Sequence, residues 1–344
     1  MAFYDSVFNV LGLREWCDAD KTDGPMSMAQ LLAASKGKDS VEKPWYDIPF
    51  PSLDSLHESC GAIDRTRDMT NGLEQYFLSI KDALKYVLDP LTQPLSWILD
   101  GSLYLFTHTP WWILMPVLFF LVFRVTRSYG VTLLVAATFF FFGFIDHYTY
   151  AIETLSIIFV CTVLCVIFGI PIGILMSKND WFQRMMIPLL DMLQTLPSFV
   201  YLIPLIFLFS VTESKLYGIA IILYAIVPVI RLTDLGIRLV DKDVIEAADA
   251  FGMSKRQKLF GVEVPLALPN IMAGVNQTIM MALSILVIAS LVSAPGLGVL
   301  VLRGIRTLEL GVGLISGFCI VLLAVMLDRV SKKSLARINA AQEH

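Results

Sequence analysis

Charge is scarce in this chain. Asp, Glu, Lys and Arg make up 16% of its 344 residues, against 56% hydrophobic residues. That balance excludes a disordered chain, which stays unfolded for want of apolar surface to bury. It also exceeds what one water-soluble domain needs. The formal net charge of -4 argues against the basic face of a nucleic-acid binder. Histidine is rarer still. His57, His108, His147 and His344 fall outside the centres of the apolar runs, so no metal-ligand cluster or Ser/His/Asp set supports an enzyme inside the membrane. Of five cysteines, Cys161, Cys165 and Cys319 lie in apolar runs, where packing accounts for them. Cys17 and Cys60 share a polar tail and would pair in an oxidising compartment. No GxxxxGK[ST] stretch occurs, so the loop that cradles nucleotide phosphates is missing.

The apolar residues come in runs. About twenty consecutive ones cross a bilayer as a helix, and seven such runs are present: 111–127, 129–147, 153–176, 187–210, 217–238, 271–292 and 309–328. The expected fold class is therefore all-α, a polytopic helical membrane protein of about seven transmembrane helices. Residues 1–110 hold 9 Lys and Arg against 16 Asp and Glu, so the two parts of the chain differ in kind. The organisation expected is a polar acidic tail over 1–72, amphipathic interfacial or bracing helices over 73–110, a transmembrane domain over 111–330 and a short tail over 331–344. Segment 73–107 carries apolar residues at helical spacing but is interrupted by Lys81, Asp82, Lys85, Asp89, Pro90, Pro94 and Asp100. That pattern suits a helix lying on the membrane surface or bracing a bundle, with an eighth span as the alternative.

Lys and Arg in the connections orient the chain. One set of alternating loops holds thirteen, among them Arg124, Lys178, Arg238, Lys255 and Lys333; the other holds Lys215, Arg303 and Arg306. The richer side is cytoplasmic by the positive-inside rule, which puts the carboxyl terminus inside and, with seven spans, the amino-terminal tail outside. Residues 1–20 have no basic start, and Asp5 interrupts their apolar stretch. Export of the tail then falls to the first span rather than to a signal peptide.

The longest inward connection, 239–270, reads LVDKDVIEAADAFGMSKRQKLFGVEVPLALPN. Asp243 with Glu246, and Ser254 with Gln257, each have the form of a capping box. Gly252 between them suits the end of one helix, and Pro265 and Pro269 are expected to stop the second. Two short helices at a sharp angle follow. The stretch Glu246-Ala247-Ala248, then Gly252, Val262, Val264 and Pro265, resembles at every spacing the EAA loop of ABC importer permeases. The resemblance implies a type I ABC importer permease fold with a cytoplasmic coupling loop over 240–265. Glu246, Ala247, Ala248, Gly252 and Pro265 would dock on a separate ATPase. That partner would hold the ATP and magnesium, with no cofactor or metal on this chain.

Stretches 191–209, 272–292 and 295–305 further resemble the glycine betaine/proline betaine branch of these permeases. This implies a homodimer in a bacterial inner membrane with two ABC ATPase subunits and a substrate-binding protein, importing glycine betaine or a related methylated amine. Proline betaine, choline, carnitine and trimethylamine N-oxide are the related cargoes. An importer of another small polar solute such as an amino acid, and an ATP-independent channel, are the competing readings. Polar residues within spans mark either a path or interhelical hydrogen bonds. Gln194 and Thr195 beside Pro197 suggest a kinked helix facing water, and Asn276 and Gln277 are the matching pair on the sixth run. Phe199, Tyr201 and Tyr224 offer ring faces to a cationic cargo. Asp191, Arg231 and Asp234 lie at one depth and form either a gate latch or charges reaching for the interface.

Overall fold

The computed structural model describes residues 2–13, 16–17 and 50–342. They divide into two compact units, 1–83 and 84–344.

The first unit holds helices α1 (Ala2–Val10) and α2 (Leu53–Ser59). Ser52 caps α2, accepting from the Ser55 amide at 3.2 Å. Cys17 and Cys60 form a disulfide across 43 positions, and both are fully buried. The pairing that the sequence left open is thus present.

Helix α3 (Thr66–His108) runs unbroken through Pro90 and Pro94. Most of its apolar side chains are exposed, but Ser96 and Leu99 are buried. In the second unit the rest of the helical domain follows: α4 (Trp111–Thr126), α5 (Tyr129–Phe144), α6 (Tyr148–Lys178), α7 (Asp180–Thr195), α8 (Leu202–Leu208) and α9 (Ser214–Arg238). After the inward loop come α12 (Val264–Ala289), α13 (Leu297–Arg306) and α14 (Leu310–Gln342), with the loop's own α10 (Lys242–Ala250) and α11 (Lys255–Lys258) between. The later turns of α3 pack against the helices that follow. Leu95 and Leu99 lie against Gly218. Ser102 and Ser156 share a hydrogen bond of 2.7 Å, and the buried Lys215 ammonium meets Asp89 at 2.7 Å and Glu213 at 2.9 Å.

Among the described residues four helical stretches are long and apolar enough to cross a membrane: Tyr148–Lys178, Ser214–Arg238, Lys255–Val292 and Leu310–Arg337. Two bent pairs pass the same test, α3 with α4 (bent by 112°) and α7 with the segment to Leu208 (bent by 102°). Helix α5 is apolar but has only 16 residues, about 24 Å at 1.5 Å per residue, short of a core about 30 Å thick. The seven apolar runs map onto these elements. The expected count of about seven transmembrane helices is corrected to four among the described residues, or up to six with each bent pair as one span: run 187–210 is broken, run 111–127 passes only together with α3, and run 129–147 is too short.

The centre of the domain is α6, α9 and α12. Their backbones approach closely because side chains are missing where they cross. A Cβ on Gly173 would stand 2.7 Å from the Ile230 carbonyl oxygen of α9, and one on Gly274 would stand 3.0 Å from the Val229 Cα. Without hydrophobic drive between helices in lipid, such close packing is what holds them. Met176, Leu190, Val227 and Ile230 fill one part of this core, and Ile237, Ala267 and Ile271 form a second cluster.

Candidate functional site: the inward loop and the broken helix

The inward loop is built from local rules. Asp241 caps α10, accepting from the Asp243 amide at 3.0 Å. This corrects the expected cap by two residues. Asp241 keeps extended backbone (φ -56°, ψ 131°), whereas Asp243 already lies in the first helical turn, where its charge favours the positive end of the helix dipole. At the other end the Met253 amide donates to the Ala248 carbonyl (3.2 Å) and the Gly252 amide to that of Asp249 (2.9 Å). That is a Schellman stop, and it needs a left-handed residue. Gly252 supplies it at φ +73°.

Ser254 and Gln257 form the expected capping box, at 2.9 and 3.4 Å. Lys258 reaches back to Asp249 at 2.6 and 2.8 Å and braces one helix on the other. The second helix does not end at Pro265. A π-turn over Leu259–Glu263 precedes it, with the Val264 amide donating to the Leu259 carbonyl. A proline lacks the N–H for an i→i−4 bond, and it stands at the first turn of α12, just past the shifted ladder. The helix therefore continues to Val292. Glu246, Ala247 and Gly252 are exposed, Ala248 is buried, and an open groove of about 580 Å³ lies beside Phe251, Gly252, Met253 and Phe260. Phe251 is 84% and Phe260 66% exposed, which is a large apolar surface to leave uncovered.

The second feature is the break between α7 and α8. The residue before a proline is driven to extended backbone, and Leu196 before Pro197 is so (φ -64°, ψ 132°). A 3-10 turn, Ser198–Tyr201, then enters α8. The buried Tyr201 hydroxyl donates to the carbonyl oxygens of Leu196 (3.1 Å) and Leu193. Those are carbonyls that a helix end leaves unsatisfied. The turn packs on α9 and α12.

The path candidates separate here. The buried Tyr201 closes the end of α7 through its hydroxyl. Thr195 is exposed and donates to the Asp191 carbonyl of its own helix at 2.9 Å. Pro197 is exposed at the break, Gln194 is half-buried and Gln277 exposed, and neither amide has a hydrogen bond among the described residues. Asn276 donates to Asp328 of α14 at 3.0 Å, and Asp328 also meets Lys332 at 3.0 Å. The charge trio divides too. Arg231 pairs with Asp191, joining α9 to α7. Asp234 instead accepts from Gln183 at 2.6 Å and from Arg238 at 2.9 Å.

Sequence reasoning missed Glu263, Asp328 and the second role of Arg238. For Glu263 the signal was present, since a lone acid in an apolar stretch requires a partner; Asp328 stands among Arg329, Lys332 and Lys333 at the end of its run, which hides its bond to Asn276.

Residues 166–339 match the family described as "Binding-protein-dependent transport system inner membrane component". The chain is 37% identical over 285 residues to the glycine betaine/proline betaine transport system permease protein ProW of Escherichia coli (strain K12), covering 82% of this chain and 78% of that protein. It is 38% identical to the glycine betaine transport system permease protein OpuAB of Bacillus subtilis (strain 168), over 69% of this chain and 80% of the relative. It is 35% identical to the glycine betaine/carnitine transport permease protein GbuB of Listeria monocytogenes, over 70% and 86%. Among solved structures, an inward-facing MetNI methionine ABC transporter matches with a TM-score of 0.51 at 19% identity, covering 56% of this chain and 95% of that one, a likeness of fold. The bent helices, the capped inward loop and these matches agree: the chain belongs to the inner membrane components of binding-protein-dependent transport systems, the permease subunits of ABC importers.

Proposed function

We propose that this chain translocates glycine betaine or a related methylated amine, such as proline betaine, choline, carnitine or trimethylamine N-oxide. It receives the cargo from a substrate-binding protein and works as a homodimer on two ABC ATPase subunits, which hold the ATP and magnesium. The observation that carries the reading is the inward loop. Glu246 stands exposed on a helix stopped by Gly252 and braced by Lys258 and Asp249, beside exposed Phe251 and Phe260. A rigid projection with an uncovered apolar flank suits insertion into a cleft of another subunit. The named functions of the relatives supply the cargo class.

The amino-terminal tail faces outward and the carboxyl terminus inward. The thirteen-to-three bias of basic residues supports this, and so does the buried Cys17–Cys60 disulfide, which fits an oxidising compartment. Asp191 and Arg231 latch α7 to α9 on the inner side. Gln194 and Gln277 line the path, since neutral amides can contact a methylated cation without trapping it.

The test is ATP-dependent uptake of labelled glycine betaine in proteoliposomes holding the complete complex and its binding protein. Uptake suppressed by excess carnitine or proline betaine and untouched by methionine is the expected result. Uptake suppressed by amino acids alone assigns the other cargo class, and cargo flux without ATP assigns a channel.

A further inference from the structure

Both ends of the inward loop are tied to one place. At its start, Arg238 is the last residue of α9. It donates to the Met176 carbonyl at the end of α6 (2.8 Å) and pairs with Asp180, the first residue of α7 (2.8 Å). Its Nε meets Asp234, which accepts in turn from Gln183 of α7. At the far end, Glu263 closes the π-turn with a side chain only 3% exposed, and its ion partner is Lys178, the last residue of α6. Between these anchors, Asn179 caps α7 by accepting from the amides of Trp181 (3.1 Å) and Phe182 (3.2 Å). The α6–α7 corner, residues 176–183, thus holds the chain on both sides of the loop. From that corner α7 runs to the Asp191–Arg231 pair and then to the break at Leu196.

We propose that the α6–α7 corner carries displacement of the inward loop to α7 and its break, with Lys178–Glu263 and Arg238–Asp180 as the two ties. The inference rests on the ATP-driven reading above. A buried carboxylate with a single cationic partner is costly to strand. Movement of the loop's far end therefore takes Lys178 and the corner with it. Movement of its near end takes Asp180 and the start of α7 through Arg238. These are positioning residues: they touch neither cargo nor nucleotide.

The experiment measures uptake and ATP hydrolysis together in proteoliposomes of the complete complex. Glu263→Gln keeps the shape and removes the charge. It should lower cargo moved per ATP at least fivefold while hydrolysis stays within twofold of wild type. Exchanging the charges (Lys178→Glu with Glu263→Lys) should restore the ratio to within twofold. Asp180→Asn, at a side chain 70% exposed, should assemble normally and lower the ratio about twofold. An unchanged ratio in Glu263→Gln overturns the proposal. So does a loss that the charge exchange does not rescue. If Glu263→Gln fails to assemble, an unchanged ratio in Asp180→Asn overturns it alone. A wild-type complex without ATP-dependent uptake refutes the importer reading instead; an active wild type beside fully coupled variants refutes only this inference.

Discussion

The inward loop and the α7–α8 break are both interruptions of helical chain, yet they are made by different physics. The loop is closed by groups a few residues apart: Asp241 to the Asp243 amide, Ser254 with Gln257, Gly252 against Asp249. Solvent surrounds it, so local hydrogen bonding decides its shape. The break begins with a local cause, Pro197, but its 102° bend ends on the Tyr201 hydroxyl and on packing against α9 and α12. A turn closed by its own neighbours is legible in sequence; a bend that ends on packing depends on what it packs against.

The comparison breaks most visibly at Gly252. A Cβ there meets no atom within 4 Å, so a substitution suffers from the backbone and not from a clash. Holding an L-residue in the left-handed region costs about 1–2 kcal/mol, about tenfold in the population of the turned loop. Gly252→Val should insert and assemble normally and lose about tenfold in uptake and in cargo-stimulated ATP hydrolysis. Uptake at the wild-type rate in proteoliposomes would mean the turn is dispensable.

Gln194 and Asn276 sharpen the same contrast one step down. Gln194, beside the break and without a hydrogen bond among the described residues, is the residue proposed above to line the path. Gln194→Leu should slow uptake severalfold with an unchanged melting temperature. Asn276→Leu removes the bond to Asp328 and should cost stability, about 1–2 kcal/mol in a bundle, with uptake per folded molecule preserved. The opposite pattern in melting and uptake assays on the same preparations would exchange their roles.

The smallest effect is expected at Tyr201. Tyr201→Phe leaves the Leu193 and Leu196 carbonyls without their donor and should cost about 1 kcal/mol, seen as a lower melting temperature with the ring still packed. A melting curve that does not move would assign the break to Pro197 alone.

Much of the architecture was legible because apolar runs and their basic flanks are strong signals. Most of the runs, Gly252 and the Ser254 cap stand where the pattern put them, whereas run 187–210 is broken at Pro197 and run 129–147 is too short for a span. The errors share a cause. Asp241 and Asp243 are both good caps two residues apart, and only backbone geometry decides between them. Pro265 reads as a stop until a π-turn moves the hydrogen-bond ladder past it. The bond of Asn276 to Asp328 leaves no trace in the sequence around either residue, because the two lie 52 positions apart. Asp234 grouped with Arg231 by depth, yet it turns to Gln183 and Arg238. Partners distant in sequence leave no local trace beyond a charge in an apolar run.

The Cys17–Cys60 bridge has a use beyond holding the tail together. Thiols oxidise on one side of a bacterial membrane and stay reduced on the other, so each chain carries a chemical record of where its tail folded. The remaining cysteines, Cys161, Cys165 and Cys319, are free and buried. They react only once the chain is denatured, and they supply a constant internal count of three. Blocking thiols in denaturant, reducing, and labelling again with a heavier reagent then separates chains by mass. The heavy-to-light ratio measures, in unmodified cells, the fraction of newly made protein whose tail is oxidised, which under the proposed outward orientation is the fraction whose tail has crossed.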